Sequence, residues 1–316
     1  VNYHDAKIRR YTWGTISTTI SIFCSVLIFM VGNGFVEQYV LESDRNTTST
    51  MLLVDFAQMA VWLFLMVFVL ARFEMRVESG GEHYERYRLD GHCWVLLFAH
   101  ITGFAGINAF GAVQHSPFFS ASPFRAALAV PVTGAILFAS VIFVFPRVLK
   151  TFRTKHLVTL DEEQYEEWTE EVHEAEDDMV ALILSFLSCQ ALRFQISGKL
   201  PNLTGHDAAP QTSFVVLLLC GAGFLAIAVT SKFWVQGVNS KEEYERMCVN
   251  VNSFRVWTIC QMACCMSAAW CTYYGTKSLA YRIACDTTDS CAFLDEELLR
   301  VVLSVALSIA AFLLIF

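Results

Sequence analysis

The sequence predicts an all-α membrane protein: eight transmembrane helices, built as two tandem, parallel four-helix repeats with both termini in the cytoplasm. Three observations carry this expectation: an apolar composition, eight apolar runs of spanning length, and internal self-similarity. Of the 316 residues, 55% are hydrophobic and only 16% are charged, proportions outside the soluble globular range. The runs lie near 15–35, 51–71, 93–113, 126–146, 178–198, 212–233, 253–274 and 297–316. Each is long enough to cross about 30 Å of hydrocarbon as a helix of about 20 residues. Most lack the polar face, recurring at helical period, that a soluble core helix would carry. The alternating strands of about ten residues that build a β-barrel are absent.

The self-similarity appears when residues 51–113 are laid on 211–273 without a gap. Phe64-Leu65 then meets Phe224-Leu225, Val69 meets Val229, and Arg72-Phe73 meets Lys232-Phe233. Glu82, Tyr84-Glu85-Arg86 and Ala109 recur as Glu242, Tyr244-Glu245-Arg246 and Ala269. At slightly larger offsets Leu27 and Phe29 match Leu192 and Phe194, while Arg125, Leu128 and Val130 match Arg300, Leu303 and Val305. The identities are few, but they flank the same spans in the same order. Four spans per copy put both copies the same way up, related by an axis along the membrane normal, unlike inverted-repeat transporters. The domains are then residues 1–150, a first membrane repeat; 151–177, a cytoplasmic acidic linker helix; and 178–316, a second repeat. Phe316 corresponds to Val141, and span 4 continues to Pro146, so the chain is expected to continue past both given ends. With no cleavable signal peptide in view, span 1 is expected to act as the targeting anchor.

Basic residues set the orientation. They gather before span 1 (Lys7, Arg9, Arg10), between spans 2 and 3 (Arg72, Arg76, Arg86, Arg88) and after span 4 (Arg147, Lys150, Arg153, Lys155). Lys232, Lys241 and Arg246 follow between spans 6 and 7. The positive-inside rule makes these loops cytoplasmic. The opposite loops carry two glycosylation sequons, at Asn46 and Asn202, and a Cys285–Cys291 pair suited to a disulfide in an oxidising compartment. The remaining cysteines read as small packing residues of the spans. A plasma membrane or secretory endomembrane of a eukaryote is the expected location.

The linker should be helical. Thr159-Leu160-Asp161-Glu162 has the form of a capping box, and Tyr165, Trp168, Val172, Ala175 and Met179 follow at spacings of three and four as one apolar stripe. The other face is dense in acids from Glu162 to Asp178 and is expected to be solvated, standing off the anionic lipid surface or packing on basic loops. It lacks the glycine and alternating oxygen ligands of an EF-hand, and no metal site is expected.

Polar side chains inside spans are costly and point to function. Alternating topology puts Asp55, Gln58, Asn108, Gln190 and Arg193 in the outer leaflet, and His100 and Gln261 near the midplane. If these converge, they line a ligand or ion pathway between the repeats, with Arg193 holding an anion and Asp55 limiting its field. If they do not, Asp55 and Arg193 form a structural pair and the amides bond neighbouring helices. Gly103, Gly106 and Gly111 let helices or ligands approach span 3 closely. Asp55, Gln58, His100, Asn108 and Arg193 face Val215, Leu218, Cys260, Ala268 and Ile28 in the other copy, so these polar groups are not repeated, as one asymmetric site would require.

Several chemistries are set aside. Arginines do not recur at every third residue, so no voltage sensor is present. No carboxylate–histidine set for a membrane hydrolase or desaturase is evident, and no catalytic residue is assigned. A net charge of −8 argues against nucleic acid. The cofactor is unknown: His100 alone could ligate a chlorophyll-type pigment, although the 26 phenylalanines more simply fill lipid-facing surface.

At Arg193-Phe194-Gln195-Ile196-Ser197-Gly198-Lys199-Leu200-Pro201-Asn202 and Ala268-Ala269-Trp270-Cys271 the chain resembles a multi-span membrane protein family of dinoflagellate algae. The resemblance implies a protist membrane protein and carries no activity. Two functional classes stay open from sequence. One is a channel or transporter with its polar site between the two four-helix repeats. The alternative is a non-catalytic scaffolding or anchoring subunit of a larger membrane complex. The expected partners are the lipid bilayer and either a second copy of the chain or other membrane subunits.

Overall fold

The computed structural model describes residues 6–41, 48–77, 84–148, 162–202, 213–236 and 251–287. Seven long helices account for nearly all of them, with no strand among the described residues: α1 Ala6–Val36, α2 Thr48–Val77, α3 Tyr84–Gln114, α4 Pro123–Ala139, α5 Glu162–Ser197, α6 Ser213–Gln236 and α7 Val251–Thr287. α4 begins on a Ser122 cap with Pro123 at its first position, where a missing amide costs nothing. It continues through a π-helical turn, Ser140–Val144.

Six helical segments are long and apolar enough to cross a membrane: Ile16–Tyr39, Thr50–Leu70, Gly91–Gln114, Pro123–Val148, Thr169–Ser197 and Phe214–Ser231. A membrane-embedded, all-helical protein is therefore the architecture. The expected eighth span, 297–316, lies outside the described residues. The expected seventh forms α7 but falls outside the apolar set. It carries Arg255, Gln261, Ser267, Thr272, Thr276 and Lys277, and it lies between α5 and α6, where α5 meets Arg255 and Ser267 and α6 meets Gln261.

α5 is the spine. It packs on α3, α4 and α7, while α3 also packs on α1 and α2, and α7 on α6. α3 and α5 are the most buried spanning segments; α1, α2 and α6 are the least and present large apolar side chains such as Phe23, Met30, Leu53, Phe64, Leu219 and Ile227 outward. That is the pattern of a bundle that faces lipid on its rim. Ser25 on α1 donates to Leu97 O on α3, and Ser267 on α7 donates to Ser185 O on α5. Further up each pair, Asn108 bonds Asn33 and Cys271 bonds Cys189, so α1 runs parallel to α3 and α5 parallel to α7.

Two glycines set the α3–α5 approach. A Cβ built on Gly103 would lie 2.7 Å from Leu182 Cδ2, and one on Gly106 would lie 2.8 Å from Ile183 Cγ1, closer than real side chains come. Gly103 and Gly106, two of the three glycines named from sequence, serve helix packing at this crossing, as small residues do between membrane helices.

One sequence expectation about the linker is corrected. From Glu162 onward the linker is continuous with the fifth span in one helix of 36 residues. The acidic face of this helix is not uniformly solvated: Glu176, Asp177 and Asp178 are buried alongside Val172, Ala175 and Met179. For Glu176 and Asp177 the cause is α7, whose Arg255 reaches across to receive both. The capping residues 159–161 lie outside the described residues.

Candidate polar sites within the helical bundle

The polar residues expected to converge divide into two sets. Near the carboxyl end of α5, Arg193 is buried. Its Nη1 donates to Gln190 Oε1 at 2.9 Å, and its guanidinium stands 3.8 Å from the centre of the Tyr274 ring on α7. The i, i+3 spacing brings Gln190 and Arg193 onto one face, and parallel packing of α7 supplies the ring. Cation–π contact of this kind gains strength when water is excluded. Lys277, one turn beyond Tyr274, is buried as well.

Asp55 is not in this set. It is half-buried on α2, within electrostatic reach of Glu37. Beside it runs an amide chain: Asn108 Nδ2 donates to Asn33 Oδ1 at 3.3 Å, and Asn33 Nδ2 donates to Glu37 Oε1 at 2.7 Å. No ion pair joins Asp55 to Arg193 among the described residues, because α2 packs on α3 and scarcely meets α5.

The other expected residues bond locally or to one neighbour. His100 is buried with Nδ1 2.7 Å from Leu96 O on its own helix. Gln261 Nε2 donates to Ala228 O on α6 at 3.2 Å, an interhelical tie. Gln58 is buried on α2. Asn202 is exposed just past the end of α5, next to Pro201, whose carbonyl lies 2.9 Å from His115 Nε2. Asn46 lies outside the described residues. The eight described cysteines are free, and no disulfide is found among the described residues. α7 runs helical through position 285 to Thr287, where a polar loop is expected from sequence. The Cys285 side chain and all of Cys291 lie outside the described residues.

Sequence reasoning missed three groups. Gln114 sits at the last position of α3, fully buried, and its Nε2 donates to Ala126 O at 2.9 Å and Leu187 O at 3.2 Å. Its Oε1, like the Nε2 of Gln190, is buried with no partner among the described residues. At the amino end of α5, Arg255 donates from Nε to Asp177 Oδ1 at 2.7 Å and from Nη2 to Glu176 Oε2 at 2.5 Å. On the opposite flank of α5, His92 Nδ1 of α3 lies 2.6 Å from Glu171 Oε2, and His92, Glu171 and Glu174 bring their ligand atoms within 4.8 Å of one another. Both ionic groups pair residues about 80 positions apart, which no local spacing announces. The parity of the acids was legible in principle: 171, 174 and 178 share one face, while 176 and 177 turn to another.

No family model matches the chain, and no curated protein and no solved structure shows significant similarity to it.

Proposed function

We propose that the protein is a membrane channel or transporter for a small anion, with its binding point between α5 and α7 at Arg193. The observation that carries this reading is electrostatic. Arg193 is buried, and its partners are a neutral amide and an aromatic ring, so no carboxylate neutralises it among the described residues. Intramembrane cations are expensive and mark ion pathways. The unmatched donor at Gln190 Nε2 is one that an anionic oxygen or halide accepts from. Tandem repetition belongs to the same proposal. It is supported by the third helix of each half, which runs parallel to the first and packs between the first and the second, and on this reading the site belongs to the second copy. Residence in a eukaryotic plasma or secretory membrane, lipid and subunit partners, and kinship with the dinoflagellate family complete it.

The scaffold reading rests on a different feature of the same residues: Arg193 finds Gln190 Oε1 and the Tyr274 ring within the protein, as a structural clasp would. Chloride efflux from liposomes holding the full chain separates the two. Transport predicts efflux that Arg193→Gln abolishes while the protein stays folded. Silent liposomes, or efflux indifferent to that change, leave the scaffold.

A further inference from the structure

The amino end of α5 holds a donor set that the transport reading does not use. Glu171, Glu174 and Asp178 follow at intervals of three and four, so α5 presents them as one stripe. α3 lies along that stripe and contributes His92. The ligand atoms of His92, Glu171 and Glu174 all lie within 4.8 Å of one another, with His92 Nδ1 2.6 Å from Glu171 Oε2. Donors arranged tetrahedrally at about 2.1 Å from a metal would be about 3.4 Å apart, so small rotamer changes bring this set into range. Glu174 is exposed, which leaves the site open to ions from solution.

Asp178 supplies a second, independent observation. It is 9% exposed, and among the described residues it has no hydrogen-bond or ion-pair partner. It is nevertheless close enough to Glu174 and His92 to interact with both electrostatically. A charged carboxylate buried beside other acids is unfavourable, and either a proton or a cation shared with its neighbours relieves it. Arg255 does not serve: it is engaged by Glu176 and Asp177 on the flank facing α7.

We infer that His92 of α3 and Glu171, Glu174 and Asp178 of α5 bind one divalent transition-metal ion, which clamps the amino end of α5 to α3. One imidazole with carboxylates suits zinc, manganese, iron(II) or cobalt(II), whereas calcium and magnesium prefer all-oxygen shells. The site joins the two halves of the chain and is independent of the anion site at the other end of α5.

The test is metal binding by the full chain, purified in detergent without a histidine tag and stripped with chelator. Zinc is titrated calorimetrically, and cobalt(II) is used as a spectroscopic probe. One equivalent is expected, with visible cobalt bands of a low-coordinate nitrogen–oxygen site and a zinc-dependent rise in melting temperature. His92→Ala and Glu174→Gln should each weaken zinc at least about tenfold, while Glu37→Gln at the opposite end of the bundle should not. Because Glu174 is exposed, Glu174→Gln reads the site even if His92→Ala fails to fold. Absence of stoichiometric zinc, affinity unchanged in Glu174→Gln, or calcium binding in preference to zinc overturns the assignment.

Discussion

Arg193 rests its guanidinium 3.8 Å from the centre of the Tyr274 ring while donating to Gln190 one turn behind it. The contact joins α5 to α7 near one end of the bundle, and it replaces the Asp55 partner that the sequence suggests. A double-mutant cycle with Arg193→Leu and Tyr274→Leu should give a coupling of about 1–2 kcal/mol in unfolding free energy. The cycle of Arg193→Leu with Asp55→Asn should be additive within about 0.5 kcal/mol. Coupling to Asp55 in place of Tyr274 would show that α2 meets α5.

The glycine crossing makes a sharper steric prediction. Gly106→Ala puts a methyl group against Ile183, and Gly103→Ala puts one against Leu182. Overpacking of this kind costs about 1–3 kcal/mol, to be read from thermal or denaturant unfolding in detergent. Ile183→Ala should recover part of the Gly106→Ala loss by vacating the space that the new methyl needs. Gly223, with nothing within 4 Å of a built Cβ, should accept alanine without loss.

Arg255 faces two buried carboxylates, Glu176 and Asp177, with side-chain exposures of 2% and 10%. Arg255→Leu strands both and should cost about 3–5 kcal/mol. Changing all three to apolar residues of similar size should restore most of the loss, since pair and desolvation terms then vanish together. A single-mutant loss below about 1 kcal/mol would mean that water reaches the acids.

What was legible in the sequence follows from range. Apolar runs of spanning length are local signals, so α1 to α6 were readable, and Gly103 and Gly106 could be named as close-approach points because only side-chain volume matters there. Val172, Ala175 and Met179 were readable as one stripe for the same reason. Partnership was not. Arg193 with Tyr274, Arg255 with Asp177 and His92 with Glu171 depend on which helix lies beside α5, and hydrophobic periodicity says nothing about neighbours. The acidic stretch was read as one solvated face because ten acids on a helix without known neighbours have no other place to go. Two helices flanking α5 give one to Glu171, Glu176 and Asp177.

The orientation supplies the last prediction. α5 is one helix of 36 residues, about 54 Å at 1.5 Å per residue, well beyond the roughly 30 Å of hydrocarbon. Its carboxyl end leads to exposed Asn202, held against the α3–α4 turn by His115 and Pro201. Its acidic amino end must then project from the opposite face, the side to which the sequence assigns most of the lysines and arginines. If positive charge marks the cytoplasm, Asn202 is glycosylated in a eukaryotic host and Asn202→Gln removes that glycan. In sealed vesicles of the same orientation, protease added to the cytoplasmic side should cut within residues 149–161 and leave the Asn202 segment intact. A glycan on Asn202 together with protection of 149–161 from the cytoplasmic side would place both ends of α5 on one face. A single straight helix cannot do that, so such a result would refute either the continuity of α5 or its passage through the membrane.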